Sequence, residues 1–216
     1  MKNILGELRT SLVLTAILLL VCCGAYPVAV WAGVEALFKD KAEGSLYADR
    51  SGAIRGSMLL AQNFAAPGYF HPRPSAAGTG FDPTSSSGTN FGPTSSKLAI
   101  GSHAKDKAGR DLDDPGNFDG IKDLVAAYRA ENGLGDRDPV PADAVTRSAS
   151  GLDPHISPSN ALIQAVRVAR ARHLDLTAVQ SLIAAHTDGR DLGVLGEPGV
   201  NVLALNLALD GQAGGR

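Results

Sequence analysis

The hydrophobic pattern divides the chain near its start. From Thr10 to Val34 run 25 residues without a charge, among them Leu12-Val13-Leu14 and Ala16-Ile17-Leu18-Leu19-Leu20-Val21. About 20 helical residues cross a hydrocarbon core of ~30 Å, so this segment is long enough to span a bilayer. Pro27 lies toward its far end, where a membrane helix tolerates a kink, and Tyr26 and Trp31 suit an interfacial aromatic belt. A secretory h-region runs only ~7–15 residues and ends in a small-x-small site. The run here is longer, no clean site follows it, and the valine before Cys22 makes a poor lipoprotein signal. The pattern predicts a short tail at 1–9, an uncleaved span at 10–36 and a domain at 37–216.

Past the span the periodicities shorten. Ser57-Met58-Leu59-Leu60-Ala61 reads as a strand. Residues 67–96 are rich in Pro, Gly, Ser and Thr, yet carry Phe70, Phe81 and Phe91 at intervals, which favours an ordered, functional loop over a linker. Residues 101–117 are charged and read as a solvated insertion. Ile121, Leu124, Val125 and Tyr128 then fall at helical spacing, with Gly133 placed as a C-cap. Ser157 before Pro158 predicts a helix start, with Leu162, Ile163, Val166 and Ala169 carrying the helix to about Arg172. A second helix puts Leu176, Val179, Leu182 and Ile183 on one face and stops near Gly189. After the Gly196-Glu197-Pro198 turn, alternation from Val200 predicts a strand to Leu209. These elements predict a single N-terminal transmembrane helix followed by one compact α+β domain, without internal repeats.

Charge narrows the partners. A formal charge of −2 and a pI near 6.2 argue against nucleic acid. Lys2 and Arg9 precede the span while Lys39, Lys41 and Arg50 follow it, so flanking charge leaves orientation open. Both cysteines, Cys22 and Cys23, lie inside the span, and disulfides therefore give no compartment.

Motifs for chemistry are sparse. Neither a G-x-x-x-x-G-K-[ST] loop nor a dinucleotide fingerprint is present. Asp106-Lys107-Ala108-Gly109 is one residue from an aspartyl-phosphate box, but that carboxylate must sit dry at a strand end, and here the flanks are charged. The five histidines (71, 103, 155, 173 and 186) lack metal-ligand spacing, so no metal is expected. No G-x-S-x-G elbow occurs. Ser150, Asp153 and His155 are close in sequence and carry the alternative function, a membrane-tethered serine hydrolase.

Three dense segments are more specific: Tyr69-Phe70-His71-Pro72-Arg73-Pro74-Ser75-Ala76, Ser86-Ser87-Gly88-Thr89-Asn90-Phe91-Gly92-Pro93-Thr94, and Val145 through Pro158 followed by Gln164-Ala165-Val166-Arg167-Val168-Ala169. In this order behind one span, with Tyr26-Pro27, Gly44-Ser45-Leu46 and Val200-Asn201-Val202-Leu203-Ala204-Leu205-Asn206, they resemble the C subunit of the Kdp potassium-transporting P-type ATPases. Nearly the whole chain is covered except roughly 101–117.

The resemblance implies an accessory subunit of a high-affinity, ATP-driven potassium import complex in the cell inner membrane. It implies partners, a channel-like potassium-binding subunit and an ATP-hydrolysing subunit, besides membrane lipid. It implies a cytoplasmic N-terminus, with the soluble domain periplasmic near the ion entrance. It further implies a catalytic chaperone of ATP binding with no catalytic centre and no cofactor of its own, ATP entering only through the complex. The family's nucleotide-linked glutamine falls on Gln164, with Arg167 beside it on one helix face. The pair either holds a ligand or anchors the 67–96 loop through backbone carbonyls, and the missing phosphate cradle favours the second role. His71, Arg73, Ser75, Ser87, Asn90, Asp153 and His155, on the matching segments, complete the candidate loop and interface residues.

Overall fold

The computed structural model describes residues 2–49, 51–103, 105, 109 and 116–213, which fall into two units, 1–57 and 58–216. Residues 106–108 of the Asp-Lys-Ala-Gly tetrapeptide lie outside the described residues, as do 104 and 110–115 of the charged segment.

In the first unit helices α1 (Lys2–Leu18) and α2 (Tyr26–Leu37) are joined by a π-helical turn at Leu19–Ala25. The helix begins at Lys2, so residues 2–9, expected as a tail, continue it. Tyr26 N–H bonds the Val21 carbonyl, five residues back. Pro27 explains the widened turn: it has no N–H and crowds the carbonyl four residues earlier, which a looser turn relieves. Asn3–Leu37 is long and apolar enough to cross a membrane, and none of its most apolar window is buried. After the short α3 (Lys39–Ala42), β1 (Leu46–Ala48) and β2 (Ile54–Ser57) form an antiparallel hairpin. Strand β2 therefore ends where a strand was expected to begin, and Met58–Leu60 form a turn. The Asp49 carboxylate sets this register by accepting from the N–H groups of Ser51 and Ala53 and from Arg55.

The second unit is α+β. Following α4 (Ser96–Ile100), Ser102 and Phe118 exchange two backbone hydrogen bonds of 2.8 Å, so the charged segment leaves and returns at one place. Helix α5 (Ile121–Asn132) starts with the Asp123 carboxylate accepting from Gly120 N–H and ends at left-handed Gly133. Beyond α6 (Ala142–Val145) and β3 (His155–Ile156), α7 (Pro158–Arg172) is capped by Ser157, whose hydroxyl accepts from Asn160 N–H. Helix α8 (Leu176–Ala185) stops four residues before Gly189 because Thr187 and Asp188 form β4 and pair with β5 (Gly199–Asn201). The sheet order is β3-β5-β4, all antiparallel.

The strand expected from Val200 to Leu209 ends at Asn201, and Val202–Ala213 is helix α9. Asn201 explains the switch, since its side-chain oxygen accepts from Ala204 N–H at 3.1 Å and closes the first turn. Leucine and alanine, which fill the run, are strong helix formers. Val202, Leu205, Asn206 and Leu209 are the buried i, i+3, i+4, i+7 set, whereas the alternation covered only the first few positions. They join Phe70, Ile156, Ala165, Val168, Val179 and Val200 in the main core. A smaller cluster around Tyr128, Ala144 and Val145 lies against α7 through Ile163.

Candidate functional site

Loop residues 67–90 cross the α7–α9 side of this core, and their backbone is held by side chains from helices on either side. Phe70, fully buried, supplies the apolar anchor, worth about 1.5–3 kcal/mol. Two carboxamides grip the backbone there, one at Phe70 itself and one at the next residue. Asn206 of α9, completely buried, accepts from Phe70 N–H at 2.8 Å and donates to the Phe70 carbonyl at 2.9 Å. Gln164 of α7 accepts from His71 N–H at 2.7 Å and donates to the His71 carbonyl at 3.1 Å. A primary amide matches the donor and acceptor of one extended residue, as a neighbouring strand would.

Gln164 is then fully committed. Its second N–H goes to Asn160 Oδ1 at 2.9 Å, and its oxygen also accepts from Arg167 at 2.9 Å. Arg167 donates further to the carbonyls of Pro67 at 2.6 Å and Tyr69 at 3.0 Å and to Asn132 at 3.2 Å. Arg172, one turn on, donates to the Gly68 carbonyl and to Asp210, and its guanidinium stacks over the Tyr69 ring. Asn160 also accepts from the Tyr128 hydroxyl at 2.8 Å; burial, seconded by Asp143, raises the Tyr128 pKa and keeps it a donor. His71 Nδ1 lies 2.7 Å from Glu131, and that hydrogen bond holds the Glu131 carboxyl below its usual range.

The far end of the loop is tied to residues 146–153. Arg73 donates to Asp153 at 2.9 Å and to the Thr146 carbonyl. Ser75 donates to the Gly151 carbonyl at 2.6 Å while accepting from the N–H groups of Ala77 and Phe81. Ser87 N–H and the Ser86 hydroxyl both reach the Ser150 carbonyl. Ser87 Oγ bonds its neighbour's carbonyl, and exposed Asn90 takes a left-handed backbone. Gly151 is required: at φ 69° an added Cβ would stand 2.5 Å from the Ser87 carbonyl oxygen and 2.8 Å from Ala77 N.

Ser150, Asp153 and His155 do not assemble a nucleophile and base. Ser150 Oγ accepts from Leu152 N–H and neighbours Ser148 Oγ. His155 turns Nδ1 toward Asp153 at 3.7 Å and Nε2 toward Asp188 at 3.6 Å, leaving neither ring nitrogen for Ser150. Burial works to raise the Asp153 pKa, but hydrogen bonds from His155 and Arg73 overcome it and hold the group at about 2. The Asp153 carboxylate facing its Nδ1 in turn raises the His155 pKa.

A cleft of about 300 Å³ between loop and α5 is lined by Phe64, His71, Arg73, Leu124, Tyr128 and Glu131. It is at the small end of ligand pockets. Its His71, Arg73, Tyr128 and Glu131 already have partners within the chain. His103, Asp119 and Asp123 bring ligand-type atoms within 4.8 Å of one another, a grouping that sequence spacing did not suggest. There Asp123 also caps α5 and meets His103 Nε2 at 3.2 Å.

Asn206, Arg172, Glu131 and Asn160 were missed as site residues. Asn206 had a readable signal, a lone carboxamide inside an otherwise apolar Leu/Ala run, which demands a buried partner.

Fold and site together define an α+β module behind one apolar helix, its polar centre committed to its own loop. The family described as K+-transporting ATPase, c chain (KdpC), matches residues 8–211, and the chain belongs to that family. A potassium-transporting ATPase KdpC subunit of Nitratidesulfovibrio vulgaris is 47% identical over 210 residues, covering 96% of this chain and 95% of that one. The Rhodospirillum rubrum protein of the same name is 46% identical, covering 95% and 96%, and that of Koribacter versatilis 44%, covering 97% and 95%.

Proposed function

We propose that the chain is the accessory subunit of an ATP-driven potassium import complex, anchored in the inner membrane by its N-terminal helix. Its α+β domain lies on the outer side near the ion entrance, beside a channel-like subunit, and favours ATP use by the hydrolytic subunit through the assembled complex. It has no reaction centre of its own. The observation that carries this reading is Gln164: every donor and acceptor of its amide is satisfied inside the chain. Such a group holds the loop and has no valence left for a nucleotide. Any effect on ATP is therefore a coupling free energy across subunits.

The test is purification of the complex by a tag on the hydrolytic subunit. The chain is expected to co-purify, and its deletion to lower potassium-stimulated hydrolysis and raise KM for ATP. Full activity without the chain would overturn the reading. Gln164→Ala is expected to lower the thermal midpoint and complex yield together. Loss of ATP affinity with an unchanged midpoint would indicate direct nucleotide contact instead. Orientation is read by placing a cysteine at Ser181 in a chain lacking Cys22 and Cys23. An impermeant maleimide should label it in intact cells, and protection until lysis would put the domain in the cytoplasm.

A further inference from the structure

Between β4 and β5 the chain runs out into a small hairpin, residues 189–197, that turns no large side chain back onto the core. Asp191 and Leu195 exchange backbone hydrogen bonds of 2.8 and 2.9 Å, and Val194 N–H closes the turn onto the Asp191 carbonyl at 3.1 Å. Arg190 and Glu197 join across its base at 2.6 Å. At the base, too, the His155 ring faces Asp188 and packs on Gly199, where an added Cβ would come within 3.5 Å of it.

The tip is apolar and outward. Leu192 is 91% exposed, Val194 71% and Leu195 58%, three large aliphatic side chains within four residues. Leu192 also has φ 53°, followed by Gly193 at 78°. Glycine, asparagine and aspartate adopt that conformation at least cost; leucine does so against both sterics and solvent. Among the described residues no burial offsets that cost, because the Leu192 side chain is almost wholly exposed. A strained, exposed apolar residue on a pinned turn is a feature whose compensation lies in another molecule.

Charge distinguishes the occupant. Residues 188–197 carry three carboxylates, Asp188, Asp191 and Glu197, against the guanidinium of Arg190, which is paired with Glu197 at the base, and Asp191 stands next to Leu192. A bilayer contact on an anionic membrane is built from lysine, arginine and interfacial aromatics, none of which flank these leucines except the paired Arg190. We infer that the 189–197 hairpin is a docking knob that seats Leu192 and Val194 in an apolar socket with a cationic rim on another protein subunit of the complex. The inference rests on the reading of the chain as a subunit of that complex.

The experiment uses the full chain co-expressed with the other subunits and purified through the tag on the hydrolytic subunit. Leu192→Asn combined with Val194→Ser removes the apolar tip, while asparagine suits the left-handed backbone, so the thermal midpoint of the chain should not fall. Its recovery in the complex is expected to drop at least tenfold, and Leu192→Met is expected to retain it. Asp191→Lys, reversing charge at the rim, should weaken recovery in a salt-dependent way. Wild-type recovery of the Asn/Ser variant overturns the knob while leaving the subunit reading intact. Failure of the unmodified chain to co-purify overturns that reading, and the knob with it. Leu192→Cys in a chain lacking Cys22 and Cys23, labelled with one nitrobenzoxadiazole before assembly and reconstituted with nitroxide-acyl lipids, should fluoresce unquenched; quenching would place the tip in the bilayer and overturn a protein socket.

Discussion

Phe81 and Leu192 share a rare combination, a large apolar side chain on a left-handed backbone, and they resolve it in opposite ways. Phe81, at φ 58°, donates its N–H to Ser75 Oγ at 2.9 Å and turns its ring into the cleft beside α5. Leu192, at φ 53°, is almost wholly exposed. Loop 67–90 is thus irregular but fixed, with hydrogen-bond partners on α5, α7, α9 and the 146–153 turn. The hairpin is regular, yet its tip side chains Leu192 and Val194 stay exposed. Strain answered internally marks architecture, whereas strain left unanswered points outward.

The largest expected effect tests the loop's fixity. Gly151→Ala combines left-handed strain with overlap against the Ser87 carbonyl and should cost on the order of 4 kcal/mol, read as a lowered denaturation midpoint of the full chain in detergent. A loss under about 1 kcal/mol would mean the loop yields, and the contrast with the hairpin would dissolve. Next is Asn206→Ala, which strands the buried N–H and C=O of Phe70 and should cost about 2–5 kcal/mol. Hydrogen exchange should then rise at Phe70 and His71 while that of 189–197 stays unchanged.

A smaller, pH-dependent effect concerns His155, which faces Asp153 on the loop side and Asp188 at the hairpin base. Its pKa is raised on folding, so its contribution is complete below the unfolded value near ~6.5 and disappears as pH rises through the folded value. The thermal midpoint should fall over that alkaline step, and His155→Gln should flatten it. Asp153 acts with the opposite sign: its contribution holds above ~4 and fades as pH falls toward about 2. Smallest of all, Leu192→Asn should leave stability unchanged or raise it by up to about 1 kcal/mol. A clear loss would show that Leu192 has an internal role after all.

Helices α5 and α7 were legible because each announces an end locally: Ser157 before Pro158 and Gly133 after Asn132 need no tertiary context, whereas α8 was read from its apolar face and its end was misplaced by the β4 pairing. Helix α9 was not, since an all-apolar run buried on several sides satisfies both periodicities over five or six residues, and the deciding Asn201 cap looks in sequence like one more strand position. The strand expected over Ser57–Ala61 lies instead at Ile54–Ser57, in a hairpin whose register is set by Asp49 rather than by the apolar Met58–Leu60. Of the site, the residue types at Gln164, Arg167, His71 and Arg73 were visible, but not their partners. A backbone clasp between residues 93 to 136 positions apart leaves no periodic trace.

The π-helical turn at Leu19–Ala25 has a geometric consequence for the apolar helix. One residue added to a turn rotates everything beyond it by about 100° relative to an uninterrupted α-helix. The side chains that form a stripe along Lys2–Leu18 are therefore not continued by the stripe along Tyr26–Leu37. A single rod of this sequence carries two azimuths, one on each side of the π-helical turn. It presents two differently directed faces rather than one continuous seam.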